Sequence, residues 1–209
     1  DTFWGKWLWQ NPKMFEELKV FMDEIHKTGA KLFVQLTAGM GRSWAIPTPL
    51  VMLHNAPVIR DVIKPIINIP YQSASPSELP SRWSDKVRTR AITVKEIEEI
   101  IDAFAKTAEL CKAAGVDGIE VHAVHEGYLL DQFTLKYTNN RTDEYGGSFE
   151  NRYRFPVEIV KAIKAKCGDD YPVSLRYSVT SKVKDFCEGA LPGEEYTEIG
   201  RDMCESEKA

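Results

Sequence analysis

Three short segments of the chain alternate apolar and polar residues with a period of two, and longer amphipathic stretches separate them. The segments cover residues 31–36, 117–122 and 172–177. Strands that alternate with helices indicate βαβ units and a parallel sheet. The more polar face of each predicted strand ends in a hydrogen-bonding side chain: Gln35, His122 and Arg176. Fully buried parallel strands are usually apolar on both faces, so this pattern favours a barrel, whose inward residues at the carboxyl edge build an active site. A structural ion pair of Arg176 with a carboxylate is the alternative for that residue.

Helix signals flank these strands. Asn11 and Pro12 predict a helix start and Gly29 its end, and a capping box of Thr93 and Glu96 opens a second helix. The predicted helices cover about 12–28, 93–114 and 154–166, with a fourth beginning at Pro192. The first is expected to bury Phe15, Leu18, Val20, Met22 and Ile25. A Pro-rich connection over 39–93 is too long for a simple turn, and such connections are usually functional or contain an inserted hairpin.

Composition narrows the possible partners. With 43% hydrophobic and 28% charged residues the chain is ordinary globular protein, and a net charge of -4 leaves no basic field for a nucleic acid. Neither a membrane span nor a signal peptide is expected from the sequence. The four cysteines form no CxxC pair, so we expect isolated thiols in a reducing cytoplasm and no metal site in this segment.

The segment that follows the second strand contains His122, His125 and Tyr128. Two imidazoles without an evident third ligand argue against a metal, but they could donate hydrogen bonds to a substrate carbonyl and polarise it. A tyrosine, with a pKa near ~10, can protonate a developing carbanion. Simple packing is the alternative for Tyr128.

Three runs in this part of the chain resemble the Old Yellow Enzyme family. They are HEGYLLDQF at 125–133, TNNRTDEYGGS at 138–148 and NRYRF at 151–155. Within the family, the chain is most similar to the clostridial branch of enoate reductases, 2,4-dienoyl-CoA reductases and bile-acid-inducible oxidoreductases. The similarity covers most of 29–209, and Gln35 and Arg176 fall where that family contacts flavin.

The resemblance implies a flavin-dependent ene-reductase that binds FMN and takes hydride from NADH or NADPH. The hydride passes through the flavin to the β-carbon of an enoate, a dienoyl-CoA or a 3-oxo-Δ4 steroid. By the same resemblance, Gln35 binds the pyrimidine edge of the flavin and Arg176 stabilises its reduced, anionic form. His122 or His125 holds the substrate carbonyl, and Tyr128 protonates the α-carbon.

Two departures from the family pattern affect this site. Many members place their carbonyl-binding residues five and two positions before the tyrosine, whereas His122 and His125 stand six and three positions before Tyr128. Strand parity favours His122. The segment 37–42 is one residue longer than the common pattern and lacks its histidine, so it is expected to shape a different pocket.

Several residues are expected to support the site rather than react. We interpret Asn139, Arg141, Asp143, Gly146 and Gly147 as a charge-paired loop with a tight turn that positions Tyr128. The tryptophans Trp4, Trp7 and Trp9 either pack or form an aromatic lid over a substrate.

The predicted fold class is α/β, a partial (β/α)8 barrel comprising about strands three to five of eight with their helices. Residues 1–209 are expected to be one incomplete FMN-binding barrel domain, with 39–93 as the long loop or insertion. In a longer protein the branch also carries FAD and a 4Fe–4S cluster, and a homo-oligomer is possible. Two alternatives stay open: a catalytically incompetent fragment or structural subunit, and a Schiff-base or metal-dependent barrel that uses Lys182 or Lys184.

Overall fold

The structure is a computed structural model that describes residues 7–44, 47–66, 73–82, 84–124, 128–178, 183–185, 188–189 and 193. The helices are α1 (Pro12–Lys27), α2 (Thr48–His54), α3 (Pro57–Ile63), α4 (Val94–Ala113), α5 (Leu129–Thr134) and α6 (Phe149–Cys167), with 3-10 turns at Leu8–Gln10 and Gly41–Ser43. The strands are β1 (Phe33–Leu36), β2 (Ala74–Ser75), β3 (Pro80–Ser81), β4 (Ser84–Arg88), β5 (Arg90–Ala91), β6 (Gly118–Val124), β7 (Val173–Tyr177), β8 (Val183–Asp185) and β9 (Glu188–Gly189). The chain divides into two compact units, which are described separately.

The first unit comprises Asp1–Ala38, Thr93–Ala123 and Phe155–Arg176 and contains a three-stranded sheet in the order β1-β6-β7. β1 and β6 are parallel, and their register pairs Gln35 with Glu120. Parallel neighbours need a crossover connection, and α4 lies in the stretch of chain that supplies it. The predicted alternation of strands and helices is therefore confirmed for this unit.

On β1 and β6 the two faces differ as the period of two predicts, whereas on β7 both Leu175, which is 47% exposed, and Arg176 are accessible. Leu36, Ile119 and Val121 are buried on the apolar face, whereas Gln35 is exposed. The helices contribute further buried side chains to the core of this unit, among them Ile97, Phe104, Ala108, Ile159 and Ile163. The polar face thus remains available for a ligand while the other face holds the unit together.

The predicted helix ends agree closely with the structure where local signals are strong. Asn11 is the N-cap of α1, Pro12 its first residue, and Gly29 follows its C-cap with a φ of 78°. At the start of α4, the Thr93 N–H donates to Glu96 Oε2 at 2.9 Å, and the Glu96 N–H donates to Thr93 Oγ1 at 3.2 Å. The capping box is confirmed.

Three details of these elements differ from the predictions. Val20 is 65% exposed, because it lies about 140° around α1 from the buried Phe15. α6 starts at Phe149, five residues before the predicted Arg154, because Ser148 Oγ accepts the Asn151 N–H at 3.2 Å and satisfies a donor of the first turn. β6 continues to Val124, two residues beyond the predicted end.

The second unit comprises Gly39–Ile92, Val124–Arg154 and Tyr177–Ala209. The long connection after β1 contains α2, α3 and an antiparallel hairpin of β3 and β4, so the expected inserted hairpin is present. β2 and β5 form a short parallel pair. The helix α5 was not predicted, because its continuous apolar start lacks a helical period.

Among the described helices, none combines the length and the apolar character needed to cross a membrane. The predicted fourth helix falls outside the described residues, apart from Gly193.

Candidate active site

The polar face of the sheet brings Gln35 and Glu120 together. They are register partners on β1 and β6, and the Gln35 amide Nε2 donates a hydrogen bond to the Glu120 carboxylate. Two register pairs away, on the same face, the Phe33 ring lies against Gly118, where a Cβ would approach the ring to 2.5 Å. The contact with Glu120 orients the Gln35 amide and leaves its carbonyl oxygen to accept a hydrogen bond from a ligand.

His122 lies two residues after Glu120 on β6 and therefore points to the same face of the strand. Its side chain is buried, with 4% exposed. His125, the other candidate for the substrate carbonyl, lies outside the described residues. The structure therefore describes one of the two imidazoles, the one that strand parity favours.

Arg176 is exposed on β7, the strand next to β6 in the sheet. Gln35, His122 and Arg176 thus stand on three neighbouring strands of one unit. An exposed guanidinium supplies a fixed positive charge with several donors, which suits an anionic or carbonyl-rich ligand. The sheet places an amide, a carboxylate, an imidazole and a guanidinium on its strands.

Tyr128 belongs to the second unit, where it is half-buried and forms the N-cap position of α5. Its carbonyl accepts the Gln132 N–H at 3.0 Å, and the next residue, Leu129, donates its N–H to the Gly39 carbonyl at 3.0 Å. The position of the phenol therefore depends on how the short helix α5 is held.

The carboxyl end of α5 is held by side chains from the family-like runs. The carbonyls of Gln132, Phe133 and Thr134 would lack partners in an isolated helix. They accept hydrogen bonds from Thr138 Oγ1 at 2.6 Å, Asn139 Nδ2 at 2.7 Å and Arg152 Nε at 2.9 Å, respectively. These three donors therefore terminate α5 without exposing its backbone to water.

Arg141 links this loop to the long connection. Its side chain is 8% exposed, and its Nη1 donates to the carbonyls of Pro76 at 2.9 Å and Ile92 at 2.6 Å. Its Nε donates to Asp143 Oδ1 at 2.9 Å. The guanidinium holds the pKa of the Asp143 carboxyl below its usual value, and the Tyr145 N–H adds to this effect. The charge-paired loop is present as predicted.

The tryptophans have different surroundings. Trp7 lines a cavity of about 180 Å³ together with Leu36, Phe104 and Gln35. The ring of Trp9 lies 4.6 Å from the Lys106 ammonium nitrogen, a cation–π contact. Trp4 lies outside the described residues.

The alternatives based on metals and lysines gain no support from the described part of the chain. It contains no group of three His, Cys, Asp or Glu side chains that could hold a metal ion. Lys182 lies outside the described residues, and for Lys184 only the backbone, in β8, is described.

Two residues of this region, Glu120 and Gln132, were not predicted from the sequence to have a role. Strand parity places Glu120 on the same face as His122, but its pairing with Gln35 is set by the register of β1 and β6, which parity alone does not fix. Gln132, whose side chain contacts residues 40 and 42, had no such signal.

Comparisons with known proteins identify the family of the chain. The NADH:flavin oxidoreductase / NADH oxidase family matches residues 6–205. The chain is 47% identical over 187 residues to cinnamate reductase from Clostridium sporogenes and 38% identical over 179 residues to NADH oxidase from Thermoanaerobacter brockii. These alignments include 90% and 86% of the chain but 25% and 24% of the relatives. Old Yellow Enzyme from a Pichia species superimposes with a TM-score of 0.61 at 31% identity, over 80% of this chain and 40% of that one.

The chain therefore belongs to the FMN-dependent NADH:flavin oxidoreductase family, to which the enoate reductases and Old Yellow Enzymes are related. The α/β class and the partial (β/α)8 barrel are confirmed by the Old Yellow Enzyme neighbours. The chain spans about a quarter of the length of the first two relatives named above.

Proposed function

We propose that this chain supplies one wall of the active site of an ene-reductase that reduces electron-poor carbon–carbon double bonds. The proposal rests on the polar face of β1, β6 and β7, which bears Gln35, His122 and Arg176. The chain that bears them belongs to a flavin oxidoreductase family.

The residues present fit FMN. Gln35, oriented by Glu120, offers an acceptor for the pyrimidine edge, and Arg176 offers a positive charge for the negatively polarised end of the ring. When bound, FMN would supply the chemistry of hydride transfer from NADH or NADPH to the β-carbon of the alkene. The chain's own residues bind and orient the reactants and move the proton.

In the proposed reaction, His122 or His125 donates a hydrogen bond to the substrate carbonyl oxygen, which lowers the cost of negative charge on that oxygen. Tyr128 then gives its phenolic proton to the α-carbon. The hydrogen bonds at both ends of α5 support this role, because they hold the backbone from which the phenol projects.

For the substrate we propose an enoate with an aryl substituent, because cinnamate reductase is the relative with 47% identity. A dienoyl-CoA and a 3-oxo-Δ4 steroid present the same polarised alkene and are the alternatives to compare. A full-length protein with FAD and a 4Fe–4S cluster, in a reducing cytoplasm, belongs to the same proposal. The buried free thiols of Cys111 and Cys167 suit such a compartment.

Replacement of Tyr128 by Phe in the full-length protein tests the proposal. We expect anaerobic bleaching of the flavin by NADH to proceed at the wild-type rate, while reoxidation by cinnamate slows by about 100-fold or more, since general acid catalysis contributes about that factor. Stopped-flow absorbance measures both half-reactions.

Tyr137→Phe is the matched control, because Tyr137 lies in the same unit and packs near the Arg42 guanidinium. It should leave both half-reactions unchanged. If Tyr128→Phe reoxidises as fast as the wild type, or if the full-length protein contains no flavin, the proposal is wrong and the structural-subunit alternative is favoured.

A further inference from the structure

Three hydrogen bonds join α5 to the segment Gly39–Arg42, here called the 39–42 loop. The Leu129 N–H donates to Gly39 O, Gln132 Nε2 donates to Met40 O, and the Arg42 N–H donates to Gln132 Oε1, each at 3.0 Å. Gln132 is 1% exposed, so its amide is enclosed by these partners. If the amide were rotated by 180°, its NH2 group would face the Arg42 N–H and its oxygen would face the Met40 carbonyl oxygen. Only one orientation therefore satisfies both backbone groups.

Gly41 lies between the two backbone groups that Gln132 binds. Its φ is 54°, in the left-handed region, and a Cβ at this position would lie 2.2 Å from Gln132 Oε1. The loop can therefore pass over the amide only with glycine at this position. The conformation of the loop and the side chain of Gln132 require each other.

The loop that is held in this way presents one apolar side chain. Gly41, Arg42 and Ser43 are buried, whereas Met40 is 48% exposed although its carbonyl is fixed by Gln132. Gly39, which precedes Met40, is bonded to the residue after Tyr128. A methionine side chain is flexible and polarisable, and it adapts well to the face or edge of an aromatic ring.

We propose that Met40 is a specificity-determining residue that contacts the apolar substituent of the unsaturated substrate, and that Gln132 is a positioning residue that holds Met40 in place. This inference rests on the proposed function and names the part of the chain that selects the substrate. It also gives a role to the segment whose length and composition depart from the family pattern. Tyr128 and the loop are both fixed through α5, so the proton donor and the selecting side chain share one support.

The test uses the full-length holoenzyme with two substrates, cinnamate and crotonate, which differ in the size of the β-substituent. We expect Met40→Ala to lower kcat/KM for cinnamate by about tenfold relative to crotonate, as the loss of one apolar contact predicts. The rate of flavin bleaching by NADH should not change. Met52→Ala, at a methionine that is 71% exposed on α2, is the matched control and should leave the cinnamate-to-crotonate ratio unchanged.

Gln132→Leu should shift the ratio in the same direction and should accelerate hydrogen exchange of the Arg42 amide, which loses its acceptor. Gln132→Glu should approach the wild type at low pH, where a protonated carboxyl both accepts from Arg42 and donates to Met40 O, and should lose this partial rescue when the buried carboxyl ionises. This partial rescue would not follow from a general loss of packing.

The outcomes separate this inference from the proposed function. If both alkenes are reduced by the wild type and the ratio stays constant in Met40→Ala and Gln132→Leu, the inference is overturned and the ene-reductase proposal stands. If neither alkene nor the dienoyl-CoA and steroid alternatives reoxidise the flavin, the proposed function fails, and the assignment of Met40 fails with it. An unchanged exchange rate of the Arg42 amide in Gln132→Leu overturns the positioning role independently of activity.

Discussion

Arg176 and Arg141 show how differently two regions of this chain use the same side chain. Arg176 is exposed on the polar face of β7; the adjacent strand β6 carries His122, and β1, on the far side of β6, carries Gln35. Arg141 is buried in the segment 138–152, where it binds a carboxylate and two backbone carbonyls. In the segment 138–152 the enclosed polar side chains bind backbone carbonyls and hold structure in place, whereas the sheet face keeps Gln35 and Arg176 accessible, with the buried His122 as its exception. An arginine on an exposed strand face can therefore serve a different purpose from one that is enclosed by backbone carbonyls.

The largest effect on stability is expected from Arg141→Met. The substitution removes the Arg141 hydrogen bonds to Asp143, Pro76 O and Ile92 O, and since Asp143 is 31% exposed and keeps the Tyr145 N–H, we expect a cost of about 1 kcal/mol for each of the three acceptors, about 3 kcal/mol in total. Hydrogen exchange measured by mass spectrometry on peptides that cover residues 129–145 should show a fall of this size in the free energy of local opening.

Arg88→Met is the control for this measurement. Arg88 also binds a carboxylate, that of Glu78, at 2.8 Å, but both side chains are more than half exposed. Exposed pairs of this kind contribute about 0–1 kcal/mol. Equal exchange in the two variants would contradict the supporting role of Arg141.

Two glycines allow the same comparison between the regions: Gly146 lies in the segment 138–152, and Gly118 lies on β6. A Cβ at Gly146 would lie 2.2 Å from the Arg141 carbonyl oxygen, which is backbone, whereas a Cβ at Gly118 would meet the ring of the partly exposed Phe33 at 2.5 Å. We expect Gly146→Ala to destabilise the loop by about 2 kcal/mol, because the backbone must shift, and Gly118→Ala to cost well under half of that, because the ring can rotate away. Urea unfolding of both variants provides the measurement.

Gly147→Ala separates the two reasons for glycine in this turn. Gly147 has a φ of 79° but no atom within 4 Å of its Cβ position, so alanine there meets backbone strain alone. That strain costs about 1 kcal/mol. If Gly146→Ala were no worse than Gly147→Ala, the close approach to Arg141 would not be the cause.

Features that depend on a few neighbouring residues could be predicted from the sequence. The capping box of Thr93 and Glu96 and the alternation along β1 are set by local geometry, and both are present. The bonds of Gln132 to the 39–42 loop span about ninety residues, and no local pattern encodes them. The site followed the same rule: strand parity selected His122 from the sequence, but the partner of Gln35 emerged only with the register of β1 and β6.

The smallest expected effect depends on pH and concerns Asp117, at the amino end of β6 in the three-stranded sheet. At the start of β6, the carboxylate of Asp117 lies 2.9 Å from His26 Nε2, from the Leu32 N–H and from Lys31 Nζ. These groups, His26 first, hold the pKa of Asp117 well below its usual value near ~4. A folded-state pKa below the unfolded one stabilises the fold above about pH 4, and this contribution is lost as the pH falls further.

Asp117→Asn should therefore lower the urea midpoint at pH 7, and the difference from the wild type should shrink at pH 3. Asp23→Asn, which removes an exposed pair with Lys19, should shift the midpoint little at either pH, and an equal deficit of Asp117→Asn at both values would show that its charge does not contribute.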